Sequence, residues 1–442
     1  MHVSVLGLGK VGLGLAACLR AAGHDVVGVD ADERRVREIR ARTMAAPEPG
    51  LLERLWGDAG SFDASADVSD AVHRTRVTFV VVPTPSDAAG GFSLHHALTA
   101  CDQVGRALRT SSSHHVVALV STILPGASRG EIVPALEAAS GKRIGEGVSY
   151  CYNPAFIALG DVINGFERPD FVLIGEATPR CGDAVERVHR SMMRNSAAVI
   201  RLDPVEIEIA KIASNTHDAC RVAFANMLLA ACSETPGADV DRVTDALAHR
   251  IGRRFLRGAV PFGGPCWPRD NVAMTAFLDR LNAPSGLPQA VQQMNADHGR
   301  YILDKILRLS GPRQRVGLLG LSYKPGTPVL DEAFGIQLAR WLADADRDVI
   351  VWDPLAQDEA RGILGDSVRY AGSAQACLAG ATLVVLANPI ASSVDWSAGA
   401  HATVVDCWRC LSAEDAARVA TYVALGRGAP VAERPRDPVM QW

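Results

Sequence analysis

Six residues near the N-terminus limit the fold of this chain more than any others. Gly7-Leu8-Gly9-Lys10-Val11-Gly12 follows the apolar run Val3 to Leu6 and opens an Ala-rich helical pattern. In a G-x-G-x-x-G between strand and helix, the first glycine makes the tight turn and the second lets backbone approach a ligand. The third allows the helix to pack close on the strand. The helix start then offers free N–H groups and the positive end of its dipole to an anion such as a pyrophosphate. Asp30 ends the second apolar run, 18 residues after Gly12. A carboxylate there accepts from ribose hydroxyls and repels a 2′-phosphate. The pattern predicts a dinucleotide site built on Gly7, Gly9, Lys10, Val11, Gly12 and Asp30. Asp30 favours NAD, whereas Arg34 and Arg35 beside it leave a preference for NADP open.

The rest of the chain extends this beginning. Apolar runs recur at Val26 to Val29, Val77 to Val82, Val116 to Val120 and Phe171 to Ile174, with helical patterns between them. Such alternation predicts a doubly wound parallel sheet. Asp203-Pro204 reads as an N-cap and a first helical position. Behind it, 205–234 runs without Gly or Pro, too long for a crossover helix and suited to connecting two domains. From Arg315 the alternation returns in RVGLLGLS, DVIVWDP, TLVVLAN and TVVDC. The expected architecture is α/β, with two Rossmann-like domains at 1–202 and 309–442 joined by a helical segment at 203–308. The Pro- and Arg-rich tail after about Gly426 is expected to be irregular. A net charge of −4 argues against nucleic acid or an anionic membrane as partner, and no apolar run approaches a membrane span. The start of the chain lacks the zones of a signal peptide. The ten Cys do not form the paired C-x-x-C pattern of a metal site, so free thiols, no metal and a cytoplasmic location are expected.

Six further motifs follow in order. They are VPTP at Val82 to Pro85, STILPG at Ser121 to Gly126, YNPAF at Tyr152 to Phe156 and AKIASN at Ala210 to Asn215. FGGPCWPRD follows at Phe262 to Asp270, and GLSYKPGT at Gly320 to Thr327. With the dinucleotide fingerprint in front, they resemble the UDP-glucose/GDP-mannose dehydrogenase family across nearly the whole chain. The resemblance implies NAD-dependent oxidation at C6 of a nucleotide-activated sugar, in a homodimer formed through the long helix. The substrate is expected in the cleft between the outer domains. In the family a Cys thiolate traps an aldehyde, a second hydride transfer gives a thioester, and water releases a uronic acid.

Carried over by motif, Cys266 is the nucleophile, and its loop between two Gly and two Pro suits an exposed thiol. Lys211 steadies the C6 oxygen, and Asn215, four residues on and on the same helix face, positions water. Asp270 orients the lysine or water, or caps the helix that follows it. Thr84 and Thr122, at the carboxyl edge of the sheet, are expected to contact NAD together with Arg35. Phe156, Phe262, Gly263 and Gly264 are expected beside the sugar. Arg250 matches an arginine donated across the dimer interface, and Lys324 and Arg409 are expected near the diphosphate.

The chain also departs from the family. The glutamate of its N-P-E-F motif, the base for thioester hydrolysis, is Ala155 here, and a carboxylate four residues later is Leu159. General acid–base help is worth about 10²- to 10⁴-fold. After GLSYKPGT the family's Arg-Glu is replaced by Asp331-Glu332. Either another group such as Asp270 takes over hydrolysis, or the enzyme performs one two-electron oxidation and stops at the carbonyl. The second alternative resembles the specialised-metabolite branch that serves lincosamide antibiotic biosynthesis, where the sugar is an octose. A catalytically dead relative that binds nucleotide sugar is a third alternative. Survival of Lys211, Asn215, Cys266 and Asp270 together argues against it.

Overall fold

The computed structural model describes residues 1–44, 48–390 and 394–429. Most of the tail expected to be irregular, 430–442, lies outside the described residues.

Eight strands form the first sheet: β1 (His2–Leu6), β2 (Asp25–Val29), β3 (Ser61–Ser65), β4 (Val77–Val80), β5 (His115–Leu119), β6 (Val148–Tyr152), β7 (Phe171–Glu176) and β8 (Ala198–Leu202). Their order is β3-β2-β1-β4-β5-β6-β7-β8. All neighbours are parallel except β6 and β7. The inner strands β1, β4 and β5 are buried nearly throughout, as a sheet covered on both faces requires. The second sheet holds β9 (Arg315–Leu319), β10 (Asp348–Trp352), β11 (Arg369–Tyr370), β12 (Leu383–Leu386), β13 (Thr403–Asp406) and β14 (Thr421–Ala424). It is parallel, in the order β11-β10-β9-β12-β13-β14. Five of these strands, β3, β6, β8, β11 and β14, were not expected from the apolar runs. The two outer folds are Rossmann-like, as expected.

Between the sheets in sequence runs a single helix, Pro204–Glu234, of 31 residues. It begins as the sequence dictates. Asp203 accepts the Val205 N–H at 3.0 Å, and Pro204 takes the first helical position, where no N–H is needed. The chain divides into two compact units, Met1–Ser214 with Ala276–Ala283, and Asn215–Thr275 with the chain from Pro284 onward. The boundary falls within this helix, so the segment 203–308 is shared between the two units. Among the described residues no helix is long and apolar enough to cross a membrane.

The two units use the same device where the first strand ends. The Gly7 N–H donates to Val29 O at 2.8 Å, and the Gly320 N–H to Trp352 O at 2.9 Å. Both glycines have positive φ, +93° and +102°. The following N–H, of Leu8 or Leu321, donates to a carboxylate at the end of the neighbouring strand, Asp30 or Asp353, at 2.8 Å in each case. They differ in what else the carboxylate accepts. The Asp353 carboxylate also accepts the chain's own Ser322 hydroxyl, at 3.1 Å.

Candidate active site

In the first unit the glycine motif is built for backbone approach. A Cβ on Gly7 would lie 2.2 Å from Val81 O, and one on Gly12 would lie 1.9 Å from Gly7 O. These two glycines are demanded by the turn and by helix packing. A Cβ on Gly9 would meet nothing within 4 Å. Gly9 is also the N-cap of helix Lys10–Ala21, which has no side-chain cap among the described residues. An uncapped helix start facing open space fits a pyrophosphate. Asp30 is pinned by the Leu8 N–H and, at 2.9 Å, by the Asp32 N–H. Lys10 is exposed and Val11 half-buried at this helix start. Arg34 and Arg35 are exposed, and their N–H groups are capped by Asp32. These residues fit NAD.

Two hydroxyls join the ends of β4 and β5. Ser121 donates to Val82 O at 2.6 Å and accepts from Val82 N at 3.0 Å. Thr84 donates to Thr122 O at 2.7 Å. Both threonines therefore stand at the carboxyl edge of the sheet beside the glycine motif's strand, where a ligand binds in such folds.

Lys211 is buried at 6% exposure on the long helix. Its Nζ donates to Ala155 O at 3.0 Å and lies 4.4 Å from the centre of the Phe156 ring. That ring is itself packed on Phe171, 4.8 Å away. The segment around it is apolar, with Ala155, Ile157 and Leu159 packed against the first hydrophobic core.

In the second unit the Cys266 loop leads straight into a helix. Helix Trp267–Arg280 begins directly after Cys266, and the Asp270 N–H donates to Cys266 O at 2.8 Å. Cys266 therefore sits at the start of a 14-residue helix, whose dipole favours a thiolate. It is the exposed one of the ten cysteines. Cys407 and Cys410 do have C-x-x-C spacing, with Cys407 wholly buried.

Asp270 lies inside the first helical turn, which corrects the reading of it as a cap. Its carboxylate is 1% exposed and engaged at both oxygens. Oδ2 accepts from Asn215 Nδ2 at 2.6 Å, and Oδ1 accepts from Arg269 Nε and Nη2 at 3.2 and 3.1 Å. Asn215 stands one turn beyond Lys211 on the long helix.

Several expected substrate contacts have other occupations. The Phe262 N–H and C=O are both bonded to the Asn295 amide, at 2.8 and 2.9 Å. A Cβ on Gly263 would lie 2.2 Å from Glu332 O, and the Gly264 N–H donates to Asp331 O. The glycines of this loop serve its own packing. Arg409 requires the clearest correction. Its guanidinium is fully buried and pairs with Asp241 through Nε and Nη2, both at 2.9 Å. The same group donates to the carbonyls of Cys407, Leu425 and Gly258. That is a structural pin, and Arg409 leaves the proposed substrate set. Lys324 is half-buried, and Arg250 is exposed near the end of helix Val240–Ile251.

Sequence reasoning missed Arg269, Glu208, Asp353 and Tyr323. The Tyr323 ring lies against Gly264, and burial and the nearby Cys266 and Asp331 push its phenol up to about 12. The one local signal was a carboxylate, Glu208, on the Lys211 face of a largely apolar helix segment.

Residues 1–193 match the NAD binding domain of the UDP-glucose/GDP-mannose dehydrogenase family, 205–297 its central domain and 317–413 its UDP binding domain. The UDP-glucose 6-dehydrogenase AglM of Haloferax volcanii is 32% identical over 393 residues, 88% of this chain and 91% of the relative. The GDP-mannose 6-dehydrogenase of Pseudomonas aeruginosa is 31% identical over 359 residues, 80% and 81% of the two chains. A solved UDP-glucose dehydrogenase from Pyrobaculum islandicum superposes with a TM-score of 0.86 at 32% identity, covering 96% of this chain and 97% of that one. The glycine cradle with its pinned Asp30, the paired Rossmann-like folds and these likenesses agree, and the chain belongs to the UDP-glucose/GDP-mannose dehydrogenase family as an NAD-dependent nucleotide-sugar dehydrogenase.

Proposed function

We propose that this enzyme performs a single two-electron oxidation at C6 and releases a 6-carbonyl nucleotide sugar. NAD, when bound, supplies the hydride acceptor. The C6–H bond breaks with its electron pair leaving to that acceptor, the O–H proton passes to solvent, and a C=O bond forms. Lys211 holds a positive charge beside the oxygen as negative charge develops on it. Ala155 carries this reading. The position that would hold the hydrolytic carboxylate presents a methyl group, packed with Ile157 and Leu159 against an apolar core. Asp270 is a poor substitute base, because Arg269 and Asn215 engage both of its oxygens. A substrate with a secondary C6 alcohol, such as the octose of the lincosamide route, suits this chemistry, because a ketone cannot proceed to an acid.

The family's four-electron reading keeps one observation in its favour, the exposed Cys266 at a helix start. The readings separate by stoichiometry. The protein is incubated with NAD and a panel of UDP- and GDP-sugars that includes an eight-carbon sugar, and NADH and product mass are measured at completion. One NADH per sugar and a carbonyl product is the expected result. Two NADH and a uronic acid would overturn it. Cys266→Ser is expected to keep kcat within about threefold, because no thioester forms. On the four-electron reading it would block acid formation.

The dimer belongs to the same proposal. Ile209 and Met227 on the long helix are 42% and 46% exposed, apolar area suited to a second copy of the chain. Sedimentation velocity tests this, and a monomer at micromolar concentration would reject it.

A further inference from the structure

Glu208 is wholly buried on the long helix, three residues before Lys211. Its carboxylate accepts two backbone N–H groups of the loop that follows β5. Oε2 takes the Gly126 N–H at 2.6 Å, and Oε1 takes the Ser128 N–H at 3.0 Å. Burial pushes its carboxyl above the usual range, an effect that the Ser128 side chain and the two backbone N–H groups oppose in part. Gly126, at φ +93°, is the turn that aims both N–H groups at one side chain. At the other end of the same loop, Thr84 donates to Thr122 O and Ser121 is bonded to both polar atoms of Val82. The loop is therefore held at its start by the segment that follows β4 and at its end by Glu208. A buried carboxylate whose oxygens are taken up by the Gly126 and Ser128 N–H groups of one loop fixes position rather than binding a ligand.

We propose that Glu208 is a positioning residue for the cofactor: it ties the end of the Thr122 loop to the helix that carries Lys211, and so sets where Thr122 stands. This rests on the reading of Thr122 as an NAD contact. Here each of the two N–H donors has its own acceptor oxygen. Glu208→Gln offers one oxygen and turns an NH₂ toward the second N–H. Glu208→Asp keeps both oxygens and draws them back by one methylene.

The test is NADH binding to the free protein, followed by fluorescence, with KM for the nucleotide sugar measured beside it. Glu208→Gln and Thr122→Val are each expected to weaken NADH about tenfold while the sugar KM stays within twofold. The double variant is expected to be no weaker than the worse single one, because both act through one contact. Glu208→Asp is expected to weaken NADH in the same direction, and it decides the matter if the glutamine variant does not fold. Parental NADH affinity in a folded Glu208 variant, beside a weakened Thr122→Val, overturns the inference alone. Parental affinity in Thr122→Val removes the contact on which it rests. Additive losses in the double variant also overturn it, since Glu208 would then act by some other route.

Discussion

Lys211→Met is expected to lower kcat by about 10³-fold and to leave the melting temperature nearly unchanged. The two halves of this expectation come from the same geometry. The ammonium is 6% exposed, donates to Ala155 O and lies over the Phe156 ring. Its removal costs the fold the hydrogen bond to Ala155 O, about 1 kcal/mol, and relieves the burial of a charge. The reaction loses much more. In the proposed reaction the C6 hydroxyl gives up its proton as hydride departs, and a fixed cation beside it stabilises the alkoxide character that builds on the oxygen before the C=O bond forms. Methionine matches the length and apolar volume of the side chain without its charge. The measurements are kcat, NADH affinity and thermal melting on one preparation. A loss in kcat below about tenfold would show that Lys211 serves only to hold Ala155. A loss confined to NADH affinity would assign it to the cofactor instead.

Local chemistry explains what the sequence made legible. The glycine motif was readable because each glycine answers a different backbone demand, and the structure gives each a different neighbour: Val81 O, open space and Gly7 O. The strands that escaped notice had their apolar pattern masked. β3, SFDAS, β8, AVIRL, and the two-residue β11 lie at sheet edges, where one side needs no apolar run. So does β14. β6, VSYCY, is buried throughout but polar in composition. Partners far away in sequence satisfy two of its hydroxyls: that of Ser149 bonds His114 and Thr178, and that of Tyr150 bonds Ser128.

The same distance in sequence hid the states of the site residues. Asn215 and Asp270 are 55 residues apart, so their hydrogen bond could not be read from either motif. Arg269 was visible as a residue but not as the cation that occupies Asp270. The departure at Ala155 was legible as a missing base. In the structure Ala155, Ile157 and Leu159 pack against an apolar core.

Arg409 gives the second large effect, and it falls on stability. Arg409→Met is expected to destabilise the second unit by about 3 kcal/mol, lowering its melting temperature by about 6 to 12 °C. The side chain is 0% exposed and reaches Asp241, 168 residues away, through two bonds of 2.9 Å. Methionine fills much of the space but strands Asp241 and the carbonyls of Cys407, Leu425 and Gly258. Because Asp241 is about a third exposed, part of its charge returns to water, which places the loss at the low end for a broken buried pair. Asp241→Asn on the Arg409→Met background should recover about 1 kcal/mol, since an amide tolerates the vacated site better than a carboxylate. The kinetic readout separates this structural role from a diphosphate contact. A structural pin leaves the KM for nucleotide sugar within about twofold at temperatures where the variant is folded. A contact with the substrate would raise that KM by tenfold or more with little thermal change, because a phosphate-binding arginine is lost from the complex and not from the free protein.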